Sequence, residues 1–367
     1  APKRVPSGPG PSSTKKRRVA TDDPLKLHDL FKGSHGPKWE SPVREVLEGL
    51  PNASKFIGPS RHKDIVPVRE LTFQALKPNP PGSWRVVVFG QNPYPRLESA
   101  TGIAMFDNSY DSWDDTRFGA NLSMQCILKA AAITKYGTKP KNIEDLRTLL
   151  RAKDIVSPSE WFQAMLAQGV VLLNAGLTIG GAGLSPSDHC AFWRPAIEQI
   201  VQTALAAKAN SKGGLVFAWW GTESLKTKKA LSAVLSAYSD RVKIVHVEHA
   251  NPAARGDAFC EQSSGKSHFG QLNQVLTGLK LAPVEWLPDR SWLKRKKLAK
   301  PGKVAAMGDF ITQTKELHSR LKSAGAKFAT KKGTIAVSLM WDHSSRTWRN
   351  DLDLHVITTG GETIYFA

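Results

Sequence analysis

The sequence predicts an α/β fold, a central parallel four-stranded sheet flanked by helices, with a small C-terminal β-rich domain after it. Two patterns carry the first part. Four near-continuous apolar runs, Arg85–Phe89 (RVVVF), Val170–Asn174 (VVLLN), Leu215–Trp219 (LVFAW) and Lys243–Val247 (KIVHV), suit strands buried on both faces. The stretches between them, such as Arg194–Ala207 (RPAIEQIVQTALAA), carry apolar residues at helical spacing, so strands and helical crossovers alternate. A third pattern carries the second part: Thr334–Trp341 (TIAVSLMW) and Leu352–Ile357 (LDLHVI) alternate like exposed strands.

In chain order, residues 1–24 are rich in Pro, Gly, Ser and basic residues without hydrophobic periodicity, and are expected to be a disordered basic tail. Its Lys15-Lys16-Arg17-Arg18 cluster reads as a nuclear-import signal or DNA-binding arm, or as a casual basic tail. Residues 25–289 hold the α/β domain. Residues 290–332 are expected to be a basic linker, Arg290–Lys303, and an amphipathic helix at Asp309–Lys322. Residues 333–367 begin the β-rich domain, expected to be truncated because the chain stops at Tyr365-Phe366-Ala367 in a strand-like run. Its Trp341-Asp342 and Asp351–Val356 resemble a bacterial β domain with Trp-Asp…Asp-x-Asp-Leu-His-Val. Asp351 and Asp353 alternate on one face, read as solvated in preference to a calcium site.

The 367 residues include 41% hydrophobic and 23% charged types, enough for a sizeable core, and carry a formal charge of +19. That charge is uneven: +4 over 1–24, +6 over 25–289, +11 over 290–332 and −2 over 333–367. Basic flanks around a moderately basic centre suit a polyanion such as nucleic acid. Cys126, Cys190 and Cys260 fit no C-x-x-C spacing, so a reduced intracellular protein without structural zinc is expected. No early apolar run suits a signal peptide, and no run reaches membrane-span length. No membrane partner is expected.

Ligands of open α/β sheets bind beyond the carboxyl ends of the strands. The first run here leads into Gly90-Gln91-Asn92-Pro93-Tyr94-Pro95. The second ends in Asn174 and reaches Ser185-Pro186-Ser187-Asp188-His189 through a Gly-rich turn. The third ends in Trp219-Trp220-Gly221-Thr222, and the fourth leads into His249-Ala250-Asn251-Pro252-Ala253-Ala254-Arg255. Each alone fits turn or core chemistry. The ordered set of four points to a site.

That set resembles the uracil-DNA glycosylase superfamily, its main family most closely. Gln91–Tyr94 resemble the Gly-Gln-Asp-Pro-Tyr water-activating motif. Leu172–Asn174 with Leu177-Thr178 resemble the Leu-Leu-Asn…Leu-Thr uracil-recognition motif. Phe217–Gly221 resemble the Leu-Leu-Trp-Gly strand, His249–Pro252 the His-Pro-Ser-Pro loop, and Val284–Pro288 a closing Asp-Trp-x-Pro. The resemblance spans about residues 39–289. Pro95 and the Pro252–Arg255 string are similar to poxvirus-type glycosylases, which implies a large-DNA-virus source.

The resemblance implies hydrolytic removal of a uracil flipped from DNA, initiating base-excision repair. Asn174 would read uracil O4 and N3, Tyr94 would block the thymine methyl, and the Gln91 backbone would bind a uracil carbonyl. Phe106 is the candidate stacking ring, although strict alignment of Gly102-Ile103-Ala104 puts Met105 there. His249 would donate to uracil O2 as charge grows. Ser187 and His189 fit a phosphate-contacting Ser-His element, with Ser123 a further candidate. Ala253 or Arg255 would occupy the place of the leucine that fills the vacated base space, which is absent here.

The main departure is Asn92, where the main family has Asp; an amide can hold the water but supplies no charge. The alternative function is therefore a DNA-binding replication-accessory module with weak or lost catalysis. The family's proline-rich loop also has no counterpart near Phe118–Ser123. No cofactor and no metal are implied. The expected partners are uracil-containing DNA and replication or repair proteins, in the nucleus, at a site of viral DNA replication or in a virion.

Overall fold

The computed structural model describes residues 25–211, 213–261, 266–296, 354–357 and 363–366. The tail expected over 1–24, the helix over Asp309–Lys322 and the strand over Thr334–Trp341 lie outside these. The chain divides into two compact units, 1–309 and 310–367.

The first unit is built on β1 (Val86–Gly90), β2 (Val170–Asn174), β3 (Gly214–Trp220) and β4 (Lys243–His249), all parallel in the order β2-β1-β3-β4. Its helices are α1 (Leu27–Leu30), α2 (Gly36–Gly49), α3 (Ala53–Ile57), α4 (Thr116–Gly119), α5 (Leu122–Tyr136), α6 (Ile143–Ala152), α7 (Pro158–Ala167), α8 (Pro186–Asn210), α9 (Gly221–Ala230), α10 (Ser232–Ala237), α11 (His268–Gly278) and α12 (Arg290–Lys296). Helix α7 packs on β2, while α8, α9 and α11 pack on β3.

The residues of β2 and β3 are buried throughout, and those of β1 up to its final glycine. Such strands need apolar side chains on both faces. The expectation of two-sided burial fails for β4. Among the described residues it has one strand neighbour, its Lys243, His246 and Glu248 are exposed, and the intervening residues are half-buried. Charged side chains on an edge strand discourage pairing with a second chain.

Register sets the functional edge of the sheet. Gly90 pairs with Asn174, and Trp220 pairs with His249, so four strands end on the same side. Because β1 lies between β2 and β3 while the chain runs from β1 to β2, the connections diverge beside β1, where such folds form their binding crevice. Below the edge the core is unusually aromatic: Trp39, Trp84, Trp161, Trp193 and Trp219 are fully buried.

The segment expected to open as a linker at Arg290 is instead helix α12. Arg290 pairs with Glu160, its backbone N–H donates to Asp154 O (3.0 Å), and Trp292 is 8% exposed. The buried indole explains the difference: a flexible linker would leave it in water. In the second unit, β5 (Leu354–Ile357) and β6 (Thr363–Phe366) pair antiparallel, Leu354 opposite Phe366.

Candidate active site

The carboxyl ends of β1 and β2 touch through a glycine. A Cβ at Gly90 would lie 2.5 Å from Asn174 Oδ1 and 3.0 Å from Ala104 Cβ, so only glycine lets the Asn174 amide lie across β1. Asn174 is 2% exposed, and its side-chain amide makes no hydrogen bond among the described residues. Its donor and acceptor are thus left for a ligand with a matching acceptor and donor.

The loop after β1 is zipped to the loop after β2. Ala175 N–H donates to Gly90 O (2.9 Å) and Gly176 N–H to Gln91 O (2.8 Å). Asn92 lies over Gly176, where a Cβ would meet its Nδ2 at 2.4 Å. Its Nδ2 faces Thr178 O at 3.4 Å and Pro186 O at 3.5 Å, and the Cys190 thiol approaches its Oδ1 at 3.8 Å. The amide is thus used as a donor, a part that a carboxylate at this place cannot play. Gln91 is exposed, and its Nε2 donates to Glu223 across the gap to α9 (3.2 Å).

Tyr94 is fixed by Asn121, a residue the sequence did not single out. Asn121 Nδ2 donates to both Tyr94 Oη and Tyr110 Oη at 3.1 Å, while its Oδ1 caps α5 by accepting from Met124 N–H (3.1 Å). Burial raises the Tyr94 phenol above its ordinary pKa, which keeps the ring neutral. The available signal was the Asn-Leu-Ser run that opens α5, with Asn121 at the N-cap.

The structure corrects the place of Phe106. Its ring is 2% exposed and stacked on Phe162, with centroids 4.4 Å apart at 9°, so it is a core residue with no open face. Its neighbour Met105 is half-exposed and sits at φ 66°, a conformation uncommon for a side chain of this size. The preceding Ala104 N–H donates to Leu172 O (3.0 Å), which holds this turn against β2.

His249 ends β4 half-buried. Its Nε2–H donates to Phe259 O (3.0 Å), and its ring stacks on His268. Burial lowers its pKa, so the imidazole is neutral at neutral pH and its Nδ1 carries the lone pair. The expected donation to uracil O2 therefore requires the ring to exchange its backbone partner for the base.

No family model matches the sequence. A uracil-DNA glycosylase of Streptococcus gordonii is 30% identical over 224 residues, 61% of this chain and 84% of that protein. The chain belongs to the uracil-DNA glycosylase family. A uracil-DNA glycosylase of Pseudomonas syringae pv. syringae is 24% identical over 269 residues, 73% of this chain and 98% of that protein. The wild-type UNG crystal structure from Nitratifractor salsuginis superposes with a TM-score of 0.54 at 19% identity, covering 72% of this chain and 96% of that one; it shares the fold.

Against this family background, the residues expected at phosphate separate into two groups. His189 is fully buried. Trp193 Nε1–H donates to Thr178 Oγ1 (2.7 Å), that hydroxyl to His189 Nδ1 (2.8 Å), and His189 Nε2–H to Gly180 O (2.8 Å). Both ring nitrogens are consumed and burial lowers the pKa, so His189 braces the 178–180 turn rather than contacting phosphate. Ser187, Ala253 and Arg255 are exposed, and Ser123 is half-exposed in the first turn of α5. Ser187 is positioned by the capping box of α8, in which Ser185 Oγ accepts from Asp188 N–H (3.2 Å) and Asp188 accepts from Ser185 N–H (2.8 Å). Such a cap contributes about 1 kcal/mol.

A cleft of about 380 Å³ is lined by Gln91, Ala175, Ser187, Cys190, Arg194 and Glu223 among others. Asn92, Tyr94, Asn174 and His249 do not line it, but it adjoins them through Ala175, which follows Asn174, and Cys190, whose thiol approaches Asn92. No helix among the described residues is long and apolar enough to cross a membrane.

Proposed function

We propose that the α/β unit hydrolyses the N-glycosidic bond of a uracil flipped out of DNA, with Asn174 as the base reader. One observation carries the assignment: a 2%-exposed amide at the end of β2 with no hydrogen-bond partner among the described residues. Its NH₂ and carbonyl match uracil's O4 acceptor and N3–H donor, whereas cytosine presents the opposite pattern on that edge. Tyr94, held by Asn121, excludes a methyl at C5, and Met105 forms the opposing wall of the base site.

Bond breaking leaves negative charge on the base and positive charge on the sugar. His249, neutral and next to the strand end, stabilises the departing uracil anion by hydrogen bonding. Asn92 accepts from the attacking water through Oδ1, and the water's proton leaves to solvent once the bond to the sugar forms. Without a carboxylate, orientation rather than charge is what Asn92 contributes. Ser123 and Ser187 offer hydroxyls to phosphate, and Arg255 is the cation that would enter the vacated base space.

The Lys15–Arg18 cluster and the basic flanks support contact with polyanions and delivery to a nucleus or to viral replicating DNA. Pro95 and Ala253–Arg255 support a virus-type ancestry. The test of the activity is an abasic-site cleavage assay with uracil-containing oligonucleotide. Strand breaks at uracil, and none in the matched thymine oligonucleotide, are expected; tight DNA binding without any cleavage product would favour an accessory module.

A further inference from the structure

Cys126 on α5 and Cys260 after the β4 loop are 134 positions apart in sequence, yet their sulfurs and a carboxylate oxygen of Asp257 lie within 4.8 Å of one another. Both thiols are free and buried. Cys126 donates toward Asp257 Oδ1 (3.6 Å), and Cys260 toward Cys126 O (3.5 Å). Lys129 and Lys139 hold the Asp257 carboxylate at 3.2 and 3.4 Å. Three donors, one of them already neutralised by two ammonium groups, make a poor cation site, because closed zinc sites take four ligands. Two adjacent thiols with the Lys129 ammonium nearby suit oxidation instead.

We propose that Cys126 and Cys260 form a disulfide under peroxide, an oxidative modification site that ties α5 to the segment holding His249. Cys126 releases its proton to solvent, its thiolate favoured by the Lys129 charge, and that thiolate attacks one peroxide oxygen. The O–O bond breaks, leaving a sulfenic acid and, with a proton, one water. The Cys260 sulfur then displaces the hydroxyl, which leaves as a second water with the Cys260 proton. Two thiols lose two electrons and two protons, and hydrogen peroxide is reduced to two waters. The nearby Cys260 thiol lowers the pKa of Cys126, while Cys126 and burial raise that of Cys260, which makes Cys126 the attacking group.

The link reaches the active site through one residue. Phe259 precedes Cys260, and its carbonyl holds His249 Nε2–H at 3.0 Å. Closing the sulfurs to a bond of about 2.05 Å draws Cys260 toward α5 and shifts that carbonyl. The effect on excision rests on the role proposed for His249; the disulfide does not.

The experiment treats the reduced full-length chain with near-stoichiometric hydrogen peroxide, alkylates the remaining thiols and maps unreduced peptides by mass spectrometry. A Cys126–Cys260 cross-link with Cys190 alkylated is expected. Cys126→Ser and Cys260→Ser should each abolish the link, and Cys190→Ser should preserve it. Single-turnover uracil excision should fall about fivefold or more on oxidation, recover with dithiothreitol, and stay unchanged in peroxide-treated Cys126→Ser. Alkylation of both Cys126 and Cys260 after oxidation, or bound zinc protecting both thiols, would overturn the site. A cross-link without loss of excision would overturn the coupling to His249. Absence of excision in the reduced chain would count against the glycosylase assignment and leave the mass measurement decisive for the disulfide.

Discussion

The imidazoles of His249 and His268 stack with centroids 4.3 Å apart and planes 26° from parallel. His268 is 1% exposed and its Nε2 accepts from Trp220 Nε1–H (2.7 Å). The proton of the neutral ring therefore sits on Nδ1, which has no partner among the described residues. Adding a proton to either ring places a charge in a dry stack, and burial holds both pKa values below the ordinary imidazole value.

A pH dependence of stability follows. His189, His249 and His268 all have lowered pKa values, so between the unfolded value of about 6.5 and their lower folded values the unfolded chain binds more protons. Their contribution is fully present above about pH 6.5 and is lost as the pH falls toward the folded values. Lowered carboxylates such as Asp115, held to about 2 by hydrogen bonds from Arg117, act only below about pH 4. Melting temperature should drop between pH 6.5 and 5, and the slope should be shallower in His268→Phe. A flat profile in both proteins would refute the assignment.

Replacing Asn92 by Asp should raise the single-turnover excision rate by less than about tenfold. A preorganised charge next to a developing cation is commonly worth about 10²–10³ in rate. Here the new carboxylate faces Thr178 O and Pro186 O, the positions taken by the donor side of Asn92, and that repulsion offsets most of the gain. A hundredfold increase would show that these carbonyls do not constrain position 92.

Gly90→Ala should abolish most uracil excision in a chain that still folds. Its Cβ would collide with Asn174 Oδ1 and crowd Ala104, moving the reading amide without removing it. Circular dichroism and single-turnover kinetics on the same sample check both halves. Near-normal excision would mean that Asn174 does not need this close approach.

Trimming the chain to residues 25–296 removes +4 over 1–24, +7 over 297–332 and −2 over 333–367, while keeping α12 with its buried Trp292. DNA affinity and the slope of its logarithm against salt should both fall. Preference for uracil should survive, since phosphate contacts position and base contacts specify. An unchanged salt slope would make the flanks irrelevant to binding.

Much of this was legible because the sheet writes itself as apolar runs and the site as polar residues at their ends. Gly90, Asn92, Asn174 and His249 occupy the strand ends where the pattern put them. Reading failed where a side chain's direction mattered. His189 lies beside Ser187 in sequence, but the helix turns it inward to Thr178. Phe106 was the obvious aromatic, yet the turn at Met105 points it into the core. The exposure of β4 was unreadable because an apolar run does not reveal which strand lies at the edge. The Cys126–Cys260 pair has no spacing signal, since only the packing of α5 on the segment around Asp257 brings the sulfurs together.

The central claim is that the buried, unpartnered amide of Asn174 chooses the base. The direct measurement is single-turnover excision by the parent chain and by Asn174→Asp on matched oligonucleotides carrying uracil or cytosine. Protonated aspartic acid offers the pattern that cytosine requires, while losing one donor to uracil. Uracil excision should fall about 10²–10³-fold, and cytosine excision, absent in the parent, should become measurable. Unchanged uracil kinetics with no cytosine product would contradict it.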